Sequence, residues 1–376
     1  MLDKTKRGIT VTPTKEEPTN SIRNMEFDSG GSSAHPINIH YWSSSDLGLK
    51  RENNEDSFYP YATSFDVAAD CYADGHPFRL FIVADGMGGH NGGEIASRIA
   101  IEEITKQIRE NLSTQSYSDL VALDSQSKES FYKRLISDAI IEANTKIIKE
   151  SKTKKDLEGM GTTAVMLLFP SAVSNQAYFA NVGDSRAYLI KQNDNSIIQI
   201  SKDHTVVAEM VQKGLLSREK VKSHRLRHVL TQSLGADSHL SLDLEKSMNS
   251  VELNEGDYLL LCSDGLTDML SDEEIKETVF QTHQRNEHNQ ISDCNDTEAI
   301  EDERKIVCNL KHTTESLIKN ANENGGRDNI TVILVQNKTI RPEHSDNSTA
   351  KLHEKPTKEF NHDFDKNNNQ QDSGDE

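Results

Sequence analysis

An α+β fold with mostly antiparallel sheets is predicted from three observations. Apolar runs of strand length recur at 80–84, 162–169, 177–181, 187–191, 258–262 and 330–335, too many for an all-helical chain. Helical spacing is equally clear, because Ile136, Ile140, Ala143 and Ile147 recur at intervals of four, three and four, which places them on one face. Strands and helices do not alternate one for one, which disfavours a doubly wound parallel sheet.

Taken in order, residues 1–37 hold few apolar groups and many Thr, Ser, Lys, Glu and Gly. They cannot bury enough surface to offset their ordering entropy, so a disordered N-terminal arm is expected. The folded domain is expected over 38–338. Its first clear strand runs into "LFIVADGMGGHNGGEIA", after which Ile95, Ile99, Ala100, Ile104 and Ile108 follow helical spacing. Farther on, Ser271 with Glu274 fits a capping box, so another helix is expected to start near Leu270. The polar stretch 282–304 reads as an acidic insertion, and 339–376, ending "NNNQQDSGDE", reads as a disordered tail.

The totals agree with one large domain carrying polar extensions. The chain has 376 residues, of which 34% are hydrophobic, and its mean hydropathy is -0.68, low for an undiluted core. No run approaches the roughly 18 apolar residues that cross a bilayer. The start "MLDKTKRGIT" lacks an apolar signal core, so the cytoplasm is the expected location. The alternative is delivery to another cell by a route that reads no cleaved signal. Cys71, Cys262, Cys294 and Cys308 show no CxxC spacing and are expected to be reduced thiols. A net charge of -19 argues against general nucleic-acid affinity. It is compatible with a phosphorylated protein substrate, since a bound divalent cation can reverse the local field.

The opening motif sets one acid, Asp85, between strand formers and glycines. A phosphate cradle, a metal site and a plain turn would each use glycine this way, but the nucleotide-loop pattern GxxxxGK[ST] is absent. What decides is recurrence. "YLLLCSDG" ends in Asp264 as "LFIVADG" ends in Asp85; "NVGDSRAYLI" puts Asp184 between strands, and "GGRDNITVILV" puts Asp328 ahead of one. "RENNED" adds Glu55 and Asp56, with Arg51 four positions before the glutamate. Converging carboxylates raise one another's pKa unless a cation compensates. Hard divalent ions do so with carboxylate, carbonyl and water oxygens. Two such ions can activate a water and clamp a phosphoryl group, and a guanidinium suits the phosphate oxygens.

The ordered set "RENNED", "VADGMGGHNGGE", "GMGTTA", "ANVGDSRAYL", "KDHT", "RHVLTQSLG", "LCSDGLTDML" and "GGRDNIT" resembles the PP2C-like, metal-dependent protein phosphatases, the PPM family, and its bacterial serine/threonine branch in particular. The resemblance implies a four-layer α-β-β-α sandwich with two central antiparallel sheets. It implies hydrolysis of protein phosphoserine and phosphothreonine by a hydroxide bridging two Mn2+ or Mg2+ ions, with a third, weaker ion. By that resemblance Asp85 bridges both core ions, Asp264 and Asp328 complete the first, and Glu55 and the Gly86 carbonyl complete the second. Asp56 is an outer ligand through water or a supporting acid, and Arg51 holds the substrate phosphate. Asp184 with Asp264 supports the third ion, and Asp268 lies near it. The implied partners are phosphoprotein substrates and an opposing serine/threonine kinase, with the phosphatase a monomer that binds neither nucleic acid nor membrane.

Met87 follows Asp85-Gly86 where animal members carry a histidine proposed as general acid. Met cannot donate a proton, so a water or another group, His90 among the candidates, must serve. Met160, Gly161, Thr162 and Thr163 are expected to support the strand beside the site, Asp203-His204-Thr205 to cap a helix that ends at Gly214, and the basic, amphipathic stretch from Lys213 onward to form a flap. The rival readings are a catalytically silent phosphoprotein-binding member and a hydrolase of small phosphate compounds.

Overall fold

The computed structural model describes residues 39–60, 72–73, 76–88, 92–171, 174–236, 248–288 and 298–339. The expected arm, nearly all of the expected tail, Cys71, His90 and Cys294 lie outside these residues. The strands run β1 (Ile39–Asp46), β2 (Asp56–Tyr59), β3 (Tyr72–Ala73), β4 (His76–Pro77), β5 (Arg79–Met87), β6 (Gly161–Thr162), β7 (Ala164–Phe169) and β8 (Gln176–Val182). They continue as β9 (Arg186–Lys191), β10 (Ser196–Gln199), β11 (Met248–Glu252), β12 (Tyr258–Cys262) and β13 (Ile330–Asn337). The helices are α1 (Gly92–Ser113), α2 (Tyr117–Ala122), α3 (Ser125–Ser151), α4 (Val206–Gln212), α5 (Asp264–Thr267), α6 (Asp272–His288) and α7 (Glu298–Glu323).

Two sheets form the centre, in the orders β1-β13-β12-β9-β10 and β11-β8-β7-β5-β2, and every pairing within them is antiparallel. Alternation along the strands builds three apolar layers. In β5, Leu80, Ile82 and Ala84 face α1 and α3, whereas Phe81 and Val83 face the other sheet. In β12, Tyr258, Leu260 and Cys262 face α6 and α7, whereas Leu259 and Leu261 face the sheet of β5 and β7. Both faces are buried, which is why these strands read as unbroken apolar runs. Each fully buried Leu or Ile contributes roughly 1.5–3 kcal/mol relative to exposure. The result is the expected four-layer α-β-β-α sandwich.

The helix predictions hold in detail. Ile136, Ile140, Ala143 and Ile147 are buried on α3, and Asp124 caps that helix by accepting from the amides of Gln126 and Ser127. The Ser271–Glu274 box forms: the Ser271 amide donates to Glu274 Oε2 at 2.7 Å and the Glu274 amide to Ser271 Oγ at 3.3 Å. Thr205 caps α4, and Gly214 stands past its end at a φ of +71°, which Gly adopts without steric cost.

Two expected segments take definite form. Within the acidic stretch 282–304, α6 continues to His288 and α7 begins at Glu298, while 289–297 lie outside the described residues. The basic stretch from Lys213 forms no long helix. It runs as turns with a single 3-10 segment, Arg218–Lys220, and leaves Leu215 exposed. Cys262 and Cys308 stand outside any disulfide and are reduced thiols, as expected. Among the described residues no helix is long and apolar enough to cross a membrane.

Candidate active site

Strand ends from both sheets deliver acids to one cleft. Asp85 lies near the end of β5 in one sheet, while Asp264 follows β12 and Asp328 precedes β13 in the other. Asp184 sits where the chain crosses from β8 in the sheet of Asp85 to β9 in the sheet of Asp264 and Asp328. Together with Glu55, Asp268 and the Gly86 backbone they line a cleft of about 460 Å³, with Arg51, Arg227 and Arg327 also in its wall. Six carboxylates thus face three guanidiniums, so the cleft is short of positive charge.

Close backbone approach makes this convergence possible at two glycines. A Cβ on Gly86 would collide with the Gly93 carbonyl oxygen, and one on Gly265 with that of Asn329. Either side chain would push a strand end away from its neighbour. Hydrogen bonds fix the rest. Asp85 has its amide held by Thr163 Oγ1 at 2.9 Å, and its carbonyl accepts from the Thr163 amide and from Thr162 Oγ1, each at 2.9 Å. Both threonines therefore support the strand as expected, although Thr163 also lines the cleft.

The loop bearing Arg51 and Glu55 is held by a residue that the sequence reading left without a role. Asn329 is buried; its Oδ1 accepts from the Glu55 amide at 2.8 Å, and its Nδ2 donates to the Leu47 and Asn53 carbonyls at 3.0 Å. Only its place beside Asp328 in "GGRDNIT" pointed to it. Arg51 reaches from the loop to Asp328, with Nη2 to Oδ2 at 2.6 Å, and that bond holds its guanidinium charged.

Asp56 stands apart from the lining. It pairs with Asp85 across β2 and β5, and its Oδ2 accepts from Ser263 Oγ at 2.8 Å. Its Oδ1 is buried without a hydrogen-bond partner. A residue missed by the sequence reading, His228, lies between two acids: Nδ1 is 3.8 Å from Asp264 Oδ2 and Nε2 is 3.5 Å from Asp268 Oδ2. Nothing in the spacing of "RHVLTQSLG" signals this contact, which depends on how the flap folds back. Met87 lines the cleft as well.

The electrostatics show what the cleft lacks. Burial, then the charges of Asp56, Asp264, Asp184 and Asp328, pushes the Asp85 carboxyl well above its ordinary range. Burial with Asp264 and Asp203 raises Asp184 to about 8, and burial with Asp268 and Asp328 raises Asp264 to about 6. Asp56 is pushed up to about 7 and Glu55 is raised, burial being the first cause in both. Divalent cations would offset this mutual repulsion, partner the Asp56 Oδ1 atom directly or through water, and supply the missing charge. The residues present therefore fit such ions, and a guanidinium beside them suits a phosphoryl group.

Known proteins share this arrangement of sheets. The model of the family described as Protein phosphatase 2C matches residues 66–301. The serine/threonine phosphatase Stp of Listeria monocytogenes is 30% identical over 291 residues, covering 77% of this chain and 93% of that protein. The protein phosphatase PhpP of Streptococcus pneumoniae is 31% identical over 290 residues, covering 77% and 94%. The crystal structure of the Mycobacterium tuberculosis serine/threonine phosphatase PstP/Ppp is 30% identical, covers 80% of this chain and 99% of that one, and superposes with a TM-score of 0.56. A structure of the PstP catalytic domain in complex with two manganese ions is 29% identical, with a TM-score of 0.56 over 80% of this chain and 99% of that one. The chain belongs to the protein phosphatase 2C family and is an enzyme of its serine/threonine phosphatase class.

Proposed function

We propose that the chain hydrolyses phosphoserine and phosphothreonine esters in proteins with Mn2+ or Mg2+ and so opposes a serine/threonine kinase. The observation that carries the reading is the cluster of buried acids brought to one cleft from two sheets, with raised pKa values, one free buried oxygen and a guanidinium at their edge. Asp85, Asp264 and Asp328 would hold one core ion, and Asp85, Glu55 and the Gly86 carbonyl the other. Asp56 supports them from behind, while Asp184 with Asp264 and Asp268 provides for a weaker third ion. The ions, when bound, lower the pKa of a shared water and neutralise charge on the phosphoryl oxygens. Arg51 turns from Asp328 to grip the phosphate through paired N–H bonds. Met87 carries no proton to give, so the leaving alkoxide takes its proton from water or another group in the cleft. Residues 38–338 form the catalytic unit of a cytoplasmic monomer, and 1–37 and 339–376 are appendages to it.

The test is phosphate release from phosphothreonine and phosphotyrosine peptides and from ATP, with Mn2+, Mg2+ or EDTA, beside Asp264→Asn. Metal-dependent turnover selective for phosphothreonine and lost in the variant is the expected result. Preference for ATP would make the chain a hydrolase of small phosphate compounds. Bound metal without turnover would make it a silent phosphoprotein-binding module.

A further inference from the structure

A second groove, of about 710 Å³, lies beside the catalytic cleft and has no part in the chemistry assigned to it. β1 supplies one wall from Trp42 to Asp46, α7 supplies the other from Glu315 to Glu323, and Leu49, just past the end of β1, completes it. Successive residues of a strand point to opposite faces, yet Ser43, Ser44 and Ser45 all line this groove. The groove therefore follows the edge of β1 rather than either face. That edge stands at the end of its sheet, for among the described residues β1 pairs with β13 alone. A strand edge presents backbone N–H and C=O groups with which an extended peptide can pair.

The groove leads into the cleft. The Leu49 amide donates to the Gly326 carbonyl at 2.7 Å, and the residues just beyond each of them, Arg51 on one side and Arg327 and Asp328 on the other, line the catalytic cleft. Its chemistry is of two kinds. Trp42, Leu49 and Ile318 are apolar, and three acids, Asp46, Glu315 and Glu323, outnumber one cation, Lys319. Lys311 stands 3.9 Å from Glu315 and Lys319 3.7 Å from Glu323. Those separations exceed hydrogen-bond length, so both carboxylates are open to a better-placed cation.

We infer that this groove takes an extended segment of the phosphoprotein substrate, flanking the phosphorylated residue and carrying apolar and basic side chains. The inference rests on the proposed phosphatase activity and names the substrate sequence that activity would favour. The segment pairs with the edge of β1 as an added strand. One of its apolar side chains packs on Trp42, Leu49 and Ile318, and a Lys or Arg meets Glu315 and Glu323. From Trp42 to Asp46 the strand spans about 14 Å at about 3.4 Å per residue. Allowing two or three residues to reach from Arg51, the favoured side chains lie roughly three to eight positions from the phosphoresidue. Contacts so far from the reacting ester are equal in ground and transition states, so they lower KM and leave kcat alone.

Trp42 is the single tryptophan of the chain, so its emission reports on the groove without turnover. The full chain and the double variant Glu315→Lys/Glu323→Lys are compared in Mn2+ on p-nitrophenyl phosphate, on a phosphothreonine peptide flanked by Gly and Ser, and on peptides with a Lys/Val-rich flank to either side. Trp42 emission is titrated with the unphosphorylated Lys/Val peptides. The expected result is that one Lys/Val flank lowers KM about tenfold against the Gly/Ser peptide at unchanged kcat, and shifts Trp42 emission. The double variant should lose both effects and hydrolyse p-nitrophenyl phosphate as wild type does. Equal KM values for all peptides and a silent Trp42 would overturn the inference while leaving the phosphatase reading standing. Binding seen by Trp42 with no phosphothreonine peptide hydrolysed would overturn both, making the groove the docking site of a silent module. Emission that changes with protein concentration, or on removal of residues 1–37, and not with peptide would assign the groove to a second copy or to the chain's own arm and overturn the inference likewise.

Discussion

Glu103 and Asp85 are carboxylates of one chain under opposite forces. Glu103 is buried between α1 and α3, where Oε1 accepts from Gln107 at 2.8 Å and Oε2 from Lys146 at 2.9 Å. Those bonds, Gln107 first, hold its pKa below the usual range. Asp85 is pushed the other way, by burial and by the acids around it. The helical layer supplies Glu103 with its own partners, so that acid serves stability. The cleft gathers acids beyond the guanidiniums in its wall, so its completion is left to a ligand from outside. Sites of this kind cost stability in exchange for chemistry.

Replacing the central acid is the largest way to sharpen the contrast. Asp85→Asn should lower kcat/KM by about a thousandfold or more, equivalent to roughly 4 kcal/mol of barrier, while the metal-free protein melts no lower than wild type because one repelling charge is gone. Rates within tenfold of wild type would break the comparison. A smaller effect comes from pH. Carboxyls raised in the folded state contribute stability that is complete below their unfolded pKa near 4 and is lost as pH climbs through the folded values, about 6 for Asp264 and about 8 for Asp184. The melting temperature of the protein in EDTA should therefore fall between about pH 4 and 8 relative to the Mn2+-loaded protein, and parallel curves would contradict the assignment. Smaller still, Glu103→Ala should cost about 1–2 kcal/mol, read by urea denaturation, with kcat/KM unchanged. An activity loss there would show that the two regions are not independent.

Much of this was legible in the sequence because the relevant signals are local. The run Tyr258–Cys262 is β12 in full, and the acids after or before apolar strands arrive where such a pattern sends them. What escaped depends on distant partners. β1 reads "IHYWSSSD" and carries serines, which hide its pairing with β13; Ser45 Oγ, for one, meets Thr331 Oγ1 at 2.7 Å. β2, β10 and β11 are four or five residues long and only partly buried, too short to show a period. Asn329 and His228 act through contacts to residues far away in the chain, and no spacing announces them. The stretch from Lys213 is basic and partly apolar, yet its backbone is held by successive short turns, Val221 to Arg218, His224 to Val221 and Arg227 to His224, and at its far end by the pairing of Thr205 with Leu230.

The placement of the acids has one more consequence. Asp85 hangs from one sheet, and Asp264 and Asp328 from the other, so a cation gripped by all three would act as a rivet through the seam between the layers. Chelation would then do more than silence the enzyme: it would unfasten one edge of the sandwich, and the two halves would be free to slip along the Phe81, Val83, Leu259 and Leu261 interface that remains.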